Sequence, residues 1–196
     1  MTTKTKDMLE IRWHGRGGQG AKTAALLLGE AALATGKHMQ AFPEYGAERM
    51  GAPIQAFNRI SNRPVTLHCH VTEPDVVVVI DPTLLDSIDV TMGLGSDGKL
   101  LVNTTMEPAA VREKLSLQGR QVYTVDASGI AVATIKRNIP NTPMLGALAK
   151  VSAVLDLETL IEDSRKRLVK KFRTKPEVIE GNLEAMRRGY QEVRGE

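Results

Sequence analysis

Met8-Leu-Glu-Ile-Arg-Trp-His14, followed by Gly15-Arg16-Gly17-Gly18-Gln19-Gly20 and then by an Ala/Leu-rich stretch from Ala21 to Thr35, is the segment that decides the fold. Apolar and polar residues alternate up to His14, as on a strand. The glycines break that alternation, and the stretch beyond them has the composition of a helix, with Gly36 placed to end it. Strand, loop and helix in this order open an α/β domain. Gly15, Gly17 and Gly20 match the spacing G-x-G-x-x-G, which lets a chain turn tightly out of a strand and brings backbone N–H groups at a helix N-terminus close to an anion. Arg16 and Gln19 add polar donors that a purely structural turn does not need.

Beyond Gly36, His38-Met-Gln-Ala-Phe42 reads as a second short strand, and Pro43 to Pro53 as a long polar loop. Ile54 to Ser61 and Pro64 to His68 alternate around Asn62-Arg63, which predicts a hairpin at an antiparallel edge of the sheet. Asp75-Val-Val-Val-Val-Ile-Asp81 is a continuous β-branched run, the pattern of a strand covered on both faces, and is placed at the sheet's centre. Lys99 to Asn103 and Gln121 to Asp126 are further strands, separated by a helix from Pro108 to Leu117. From Ser128 onward only helices are expected: Gly129 to Asn138, Met144 to Leu155, Leu157 to Lys171 and Pro176 to Arg194. On the third of these Ser164, Leu168 and Phe172 share one face and the basic residues point outward.

The reading is therefore a mixed, mostly parallel, doubly wound α/β sheet with flanking helices and a helical C-terminal region. Residues 1–196 form a single domain, 1–127 its sheet portion and 128–196 its helical portion. The apolar helices after Ser128 exceed what the sheet faces need, which points to association with other chains.

The glycine loop does not complete a known nucleotide signature. A dinucleotide fold wants an acidic residue about twenty positions further on to hold the ribose. Here that stretch is Lys37, His38, Met39 and Gln40, and the next acid is Glu44. A P-loop is excluded by the absence of Gly-Lys-Ser/Thr at the required spacing. The second polar loop carries Tyr45, Glu48 and Arg49 among Pro43, Gly46, Gly51 and Pro53. Loops at the carboxyl ends of strands line the ligand crevice of such folds, so both loops can face one site. There an Arg binds phosphate or carboxylate and a Glu serves as acceptor or base. His68-Cys69-His70 puts two imidazoles on one side of a half-buried edge strand, short of a metal site. No nucleophile elbow or triad is present. With no complete catalytic set, the chain reads as part of an enzyme, a nucleotide-binding regulatory module being the alternative.

Composition narrows the partners. The formal charge of +3 is local, because Arg165, Lys166, Arg167, Lys170, Lys171, Arg173 and Lys175 crowd one stretch, which reads as a solvated helix face. One Trp, three Tyr and three Phe provide no stacking platform for nucleic acid. The single cysteine, Cys69, allows no internal disulfide and cannot hold an iron–sulfur cluster by itself, which suits a reducing cytoplasm. No apolar targeting region follows Met1, and the run Val76 to Ile80 is too short to cross a bilayer.

Ile11-Arg-Trp-His-Gly-Arg-Gly-Gly-Gln-Gly-Ala-Lys-Thr-Ala24 together with Phe42-Pro-Glu-Tyr-Gly-Ala-Glu-Arg-Met-Gly-Ala-Pro-Ile54 resembles the gamma subunit of pyruvate/ketoisovalerate:ferredoxin oxidoreductases. The resemblance continues through Asp75 to Asp81, Asn141-Thr-Pro-Met-Leu-Gly-Ala-Leu-Ala149, Lys175-Pro-Glu, Asn182 and Arg188-Gly-Tyr190, so it spans almost the whole chain. It implies a subunit of a complex that oxidatively decarboxylates a 2-oxoacid with coenzyme A (CoA), giving acyl-CoA, carbon dioxide and reduced ferredoxin. Thiamine diphosphate, Mg and iron–sulfur clusters would reside on partner subunits of alpha, beta and delta type, with ferredoxin as acceptor and no cofactor held by this chain alone. Gly15, Arg16, Gly17, Gly18, Gln19, Gly20, Tyr45, Glu48 and Arg49 would form the active-site wall or meet the CoA phosphates. Tyr45-Gly-Ala-Glu-Arg-Met-Gly-Ala52 differs from the Tyr-Gly-Pro-Glu-x-Arg-Gly-Gly of 2-oxoglutarate and indolepyruvate enzymes, which share the Gly-Gly-Gln-Gly loop and stay as alternatives.

Overall fold

The computed structural model describes residues 7–44 and 51–196. Among these, seven strands form one sheet in the order β2-β3-β1-β4-β5-β6-β7. They are β1 (Met8–Arg16), β2 (His38–Pro43), β3 (Pro53–Ser61), β4 (Val76–Val79), β5 (Lys99–Asn103), β6 (Gln121–Val125) and β7 (Arg194–Gly195). β1, β4, β5 and β6 are parallel neighbours, β3 is antiparallel to both β1 and β2, and β7 closes the other edge antiparallel to β6. The β-branched run lies at the centre of this order, as its composition predicts. Val76 and Val78 enter one core and Val77 and Val79 the other, so the strand has no solvated face.

The helices are α1 (Ala21–Ala34), α2 (Pro108–Lys114), α3 (Ala127–Ile135), α4 (Asn141–Ser152), α5 (Leu157–Lys171) and α6 (Pro176–Glu192). Their distribution is unequal. α1 and α3 to α6 contribute to the core on the Trp13 and Val78 face, while α2 and the 3₁₀ turn Pro82–Asp86 cover Val77 and Val79 with shorter connections. Trp13 is fully buried and donates its indole N–H to Asn58 Oδ1 at 2.8 Å, and Asn58 Nδ2 donates to the carbonyl of Ala25 at 2.8 Å. One amide thereby joins β1, β3 and α1 and satisfies a polar group that burial would otherwise penalise. α5 starts where Asp156 accepts from Thr159 N at 2.8 Å, a side-chain cap that the sequence boundary anticipates. Ser164 and Leu168 of α5 are buried and Phe172 packs against the same core, as read from their spacing.

Two expectations are corrected. Pro64 to His68 does not pair with β3, because β1 and β2 already occupy both edges of that strand. The segment instead drapes beside β2, where Gln40 Nε2 donates to the carbonyl of Leu67 at 2.8 Å, so His68, Cys69 and His70 lie on irregular chain and not on an edge strand. The C-terminal region is not purely helical: Arg194–Gly195 joins the sheet as β7. Of the apolar helices, α4 is largely consumed within the chain, since ten of its twelve residues are buried, Gly146 and Leu148 among them, while Val132 of α3 and Val169 of α5 stay exposed.

α4 and α6 cross where both carry glycine. A Cβ on Gly146 would lie 1.9 Å from the carbonyl oxygen of Met186, and one on Gly189 would lie 2.0 Å from that of Pro143. Only hydrogen fits at either place. Beside the crossing Thr142 Oγ1 bonds Asn182 Oδ1 at 2.9 Å. Among the described residues no helix is long and apolar enough to cross a membrane.

Candidate functional site at the switch between β1 and β4

The chain leaves β1 towards β2 and β3 on one side and, after β4, proceeds to β5 and β6 on the other. The strand order therefore reverses between β1 and β4, and ligand crevices in open α/β sheets form outside the carboxyl ends at such a point. The glycine loop follows β1 there and Ile80-Asp81 follows β4. β2 is antiparallel to β3, which is antiparallel to β1, so β1 and β2 run in the same direction and the loops after both leave from one edge of the sheet.

Gly15 and Arg16 still belong to β1, opposite Ile54 and Pro53. Gly17 continues the pairing: its N–H donates to Ala52 O at 3.0 Å, and Gly51 N donates to Gly17 O at 3.3 Å. The end of the second loop is thus bonded to the glycine loop. Tyr45, Glu48 and Arg49 lie outside the described residues. Gly18 and Gly20 have φ of 96° and 85°, in the left-handed region that favours glycine. Gly20 is the N-cap of α1 and offers no capping side chain, so the first N–H groups of that helix are left without one. A Cβ on Gly20 would also meet Asn141 Nδ2 at 2.6 Å, which brings the start of α4 against the start of α1.

Arg16 and Gln19 are engaged inside the chain, contrary to the expectation that the turn itself has no need of them. Gln19 Oε1 accepts from Arg16 N at 2.7 Å, and its Nε2 donates to Asp81 Oδ2 at 2.6 Å. The Arg16 guanidinium meets Asp81 Oδ2 at 3.3 Å through Nε, Thr83 Oγ1 at 2.8 Å through Nη2 and Gly51 O at 3.1 Å through Nη1. Asp81 Oδ1 accepts from Thr83 N at 2.9 Å and from Thr83 Oγ1 at 2.6 Å. Burial tends to raise the Asp81 pKa, but the hydrogen bonds from Thr83 and Gln19 and the charge of Arg16 outweigh it and hold the carboxyl below its ordinary value. Next along the same edge, Asn103 Nδ2 donates to Ile80 O at 2.8 Å and Ser128 N donates to Asn103 Oδ1 at 3.1 Å, which fixes the end of β5 to the start of α3.

On the helix side of the glycine loop opens a cavity of about 340 Å³, lined by Gly18, Gly20, Asn141, Arg137, Lys171 and Lys175 among others. It sits between the N-termini of α1, α4 and α6 and the C-terminal end of α5. No ion pair engages Arg137, Lys171 or Lys175 among the described residues. The three cations, with three helix N-termini against the C-terminal ends of α3 and α5, make its lining basic and suited to a phosphate-bearing ligand.

Sequence reasoning missed Asp81, Thr83 and Asn141 as parts of this constellation. An Asp-Pro pair ending the central strand was the available signal for Asp81. Lys171 and Lys175 were read as a solvated face, and for Arg165 and Arg167 exposed ion pairs with Glu180 and Glu30 fit that reading. Lys171 and Lys175 are exposed as that reading expects, and they also line the mouth of the cavity at the end of α5 and the start of α6. Among the described residues no group of three or more His, Cys, Asp or Glu side chains is arranged to hold a metal.

The model of the family described as pyruvate ferredoxin/flavodoxin oxidoreductase matches residues 10–192. The chain belongs to that family. It is 53% identical over 189 residues to the pyruvate synthase subunit PorC of Thermotoga maritima, covering 96% of each chain. It is 49% identical over 155 residues to the pyruvate/ketoisovalerate oxidoreductases common subunit gamma of Pyrococcus furiosus, covering 79% of this chain and 84% of that one. The crystal structure of the pyruvate oxidoreductase subunit PORC from Thermotoga maritima superposes with a TM-score of 0.84 at 52% identity, covering 97% of this chain and 99% of that one. The fold described above is thus the fold of a pyruvate ferredoxin/flavodoxin oxidoreductase subunit, and the motif series spread from Ile11 to Tyr190 lies within the matched residues.

Proposed function

We propose that this chain is the gamma-type subunit of a cytoplasmic 2-oxoacid:ferredoxin oxidoreductase acting on pyruvate or a branched-chain 2-oxoacid. The reaction cleaves the bond between the carboxylate and the oxo carbon, releases carbon dioxide and forms the thioester bond to CoA. Two electrons pass to ferredoxin, and the thiol proton is released. A single cysteine cannot furnish the thiolates of an iron–sulfur cluster, so the clusters, like thiamine diphosphate and its Mg, belong to partner subunits of alpha, beta and delta type. Thiamine diphosphate supplies the electron sink for decarboxylation when bound there.

This chain's own part is to bind and orient. The observation that carries this reading is the basic cavity opening onto the glycine loop. CoA is a polyanion whose pyrophosphate and 3′-phosphate match Arg137, Lys171 and Lys175 with the N–H groups at the start of α1. Arg16 stands on the crevice side of the same loop, where the thioester would form, and Arg49 of the second loop is its candidate companion.

The test is anaerobic purification of the native complex and assay of CoA-dependent reduction of a low-potential dye with several 2-oxoacids, which names the substrate. In that complex Arg16→Ala with Arg49→Ala, or Lys171→Ala with Lys175→Ala, is expected to raise the apparent KM for CoA. An unchanged KM in both pairs sinks the CoA role. A colourless chain that purifies alone, binds nucleotide and lacks activity favours a regulatory module.

A further inference from the structure

We propose that Asp81 is a positioning residue, which sets the shape of the glycine loop and holds the Arg16 guanidinium in the crevice between β1 and β4. This rests on the CoA-binding reading for the consequence to catalysis, but not for the geometry. Asp81 stands at the end of the central strand, and its two oxygens serve different ends of the network. Oδ1 takes both donors of Thr83, N at 2.9 Å and Oγ1 at 2.6 Å, and so is fixed by the turn that follows β4. Oδ2 faces the other way, to Gln19 Nε2 at 2.6 Å and Arg16 Nε at 3.3 Å. The carboxylate is thereby a bracket with one arm on a rigid element and the other on the loop.

Gln19 passes the constraint on. Its amide nitrogen is held by Asp81, so its oxygen must face the Arg16 N–H at 2.7 Å, and this closes the loop upon itself through one side chain. The Arg16 side chain receives a second support from Thr83 Oγ1 and a third from Gly51 O. A guanidinium has five N–H donors. Nε, Nη1 and Nη2 each commit one to these oxygens, which leaves one on each Nη uncommitted among the described residues. The Arg16 side chain is 30% exposed while that of Asp81 is 10% exposed. That is the arrangement of a buried anchor behind a presented donor: Asp81 is too enclosed to meet a phosphate itself, and as an anion it would repel one. Its part is to neutralise the back of Arg16 and fix where the free N–H groups point.

The experiment uses the intact complex with Asp81→Asn, Arg16→Ala and the double variant in this subunit. It measures kcat and KM for CoA at saturating 2-oxoacid, together with hydrogen exchange of the amides of residues 16–20. Asparagine keeps an acceptor for Thr83 but can turn a donor towards Gln19 and Arg16. The expected result is a roughly tenfold rise in KM for CoA with kcat within about twofold, faster exchange in the loop, and a double variant no worse than Arg16→Ala alone, because Asp81 acts through Arg16. If Arg16→Ala raises KM but Asp81→Asn changes neither KM nor exchange, or the two effects add, the positioning role is overturned and the CoA reading stands. If Asp81→Asn loosens the loop while neither variant moves KM, the CoA role of Arg16 falls and the bracket stands. Should Asp81→Asn fail to assemble, Gln19→Leu cuts the link from Asp81 to the loop and leaves the Asp81–Arg16 pair, so faster exchange of residues 16–20 is expected and unchanged exchange overturns the bracket.

Discussion

His14 is buried on β1 with only 2% of its surface exposed, and its Nε2 accepts from Arg12 Nε at 3.0 Å. Such a bond requires the neutral ring with the proton on Nδ1. Burial first, and the Arg12 cation second, push its pKa down to about 4, against a smaller opposing pull from Asp89. Since the folded value lies below the ordinary 6.5, the unfolded chain takes up the proton first as pH falls. The stability from this residue is present above pH 6.5 and is lost as pH drops towards 4. Urea titrations at pH 7 and pH 5 should show a loss of about 2 kcal/mol attributable to His14. His14→Gln, which keeps an acceptor for Arg12 and does not titrate, should remove that part of the difference. Asp81 behaves with the same sign in a more acid window: its lowered pKa keeps it charged through this range, and its contribution is lost only as pH falls further. Neither environment was legible in the sequence. The alternation of β1 shows that Arg12, His14 and Arg16 share a face, but what covers that face comes from residues far along the chain, such as Val90 and Met92, whose carbonyls accept from Arg12.

Elements with a periodic pattern could be read closely, and those decided by competition could not. α5 runs over Leu157–Lys171 as its pattern and its Asp156 cap indicate, and the valine run is the centre of the sheet. The hairpin expected after Ser61 is absent because an alternating segment reports only that it can pair, not whether an edge is free. β3 has none left. A two-residue strand such as β7 carries no period at all. The α4 and α6 crossing explains why glycines lie in those helices despite their cost to helix stability. Gly189→Val should destabilise the chain by about 3 kcal/mol or more, since its branched side chain must displace the Pro143 carbonyl. Gly36→Ala is the contrast: φ is 82° but nothing lies within 4 Å of a Cβ, so only backbone strain of about 1 kcal/mol is expected. Chemical denaturation of the two variants separates a packing requirement from a conformational one.

For the whole molecule, the sheet is fastened at its far edge by the last residues of the chain. Arg194–Gly195 pairs with β6, Arg194 binds Glu107 and Glu196 binds Arg112. These ion pairs are partly exposed, so each contributes little alone. Deleting residues 194–196 should lower stability by only about 1 to 2 kcal/mol. It also bares the backbone of β6 along its length, so the truncated chain should scatter light on warming well before the full chain does. A truncated chain that melts earlier without aggregating would show that β7 adds stability and not edge protection.

The crossing of α4 and α6 also orders events during synthesis. α4 emerges from the ribosome well before α6, which packs against α3, α4 and α5. Until it arrives, Gly146 and Pro143 lack the helix they pack against, and the cavity beside the glycine loop lacks its Asn182 wall. A nascent chain can thus pair β1, β3 and β4 early but completes its core only once α6 has emerged, so a pause or premature stop before α6 leaves apolar surface of α3, α4 and α5 open to a chaperone.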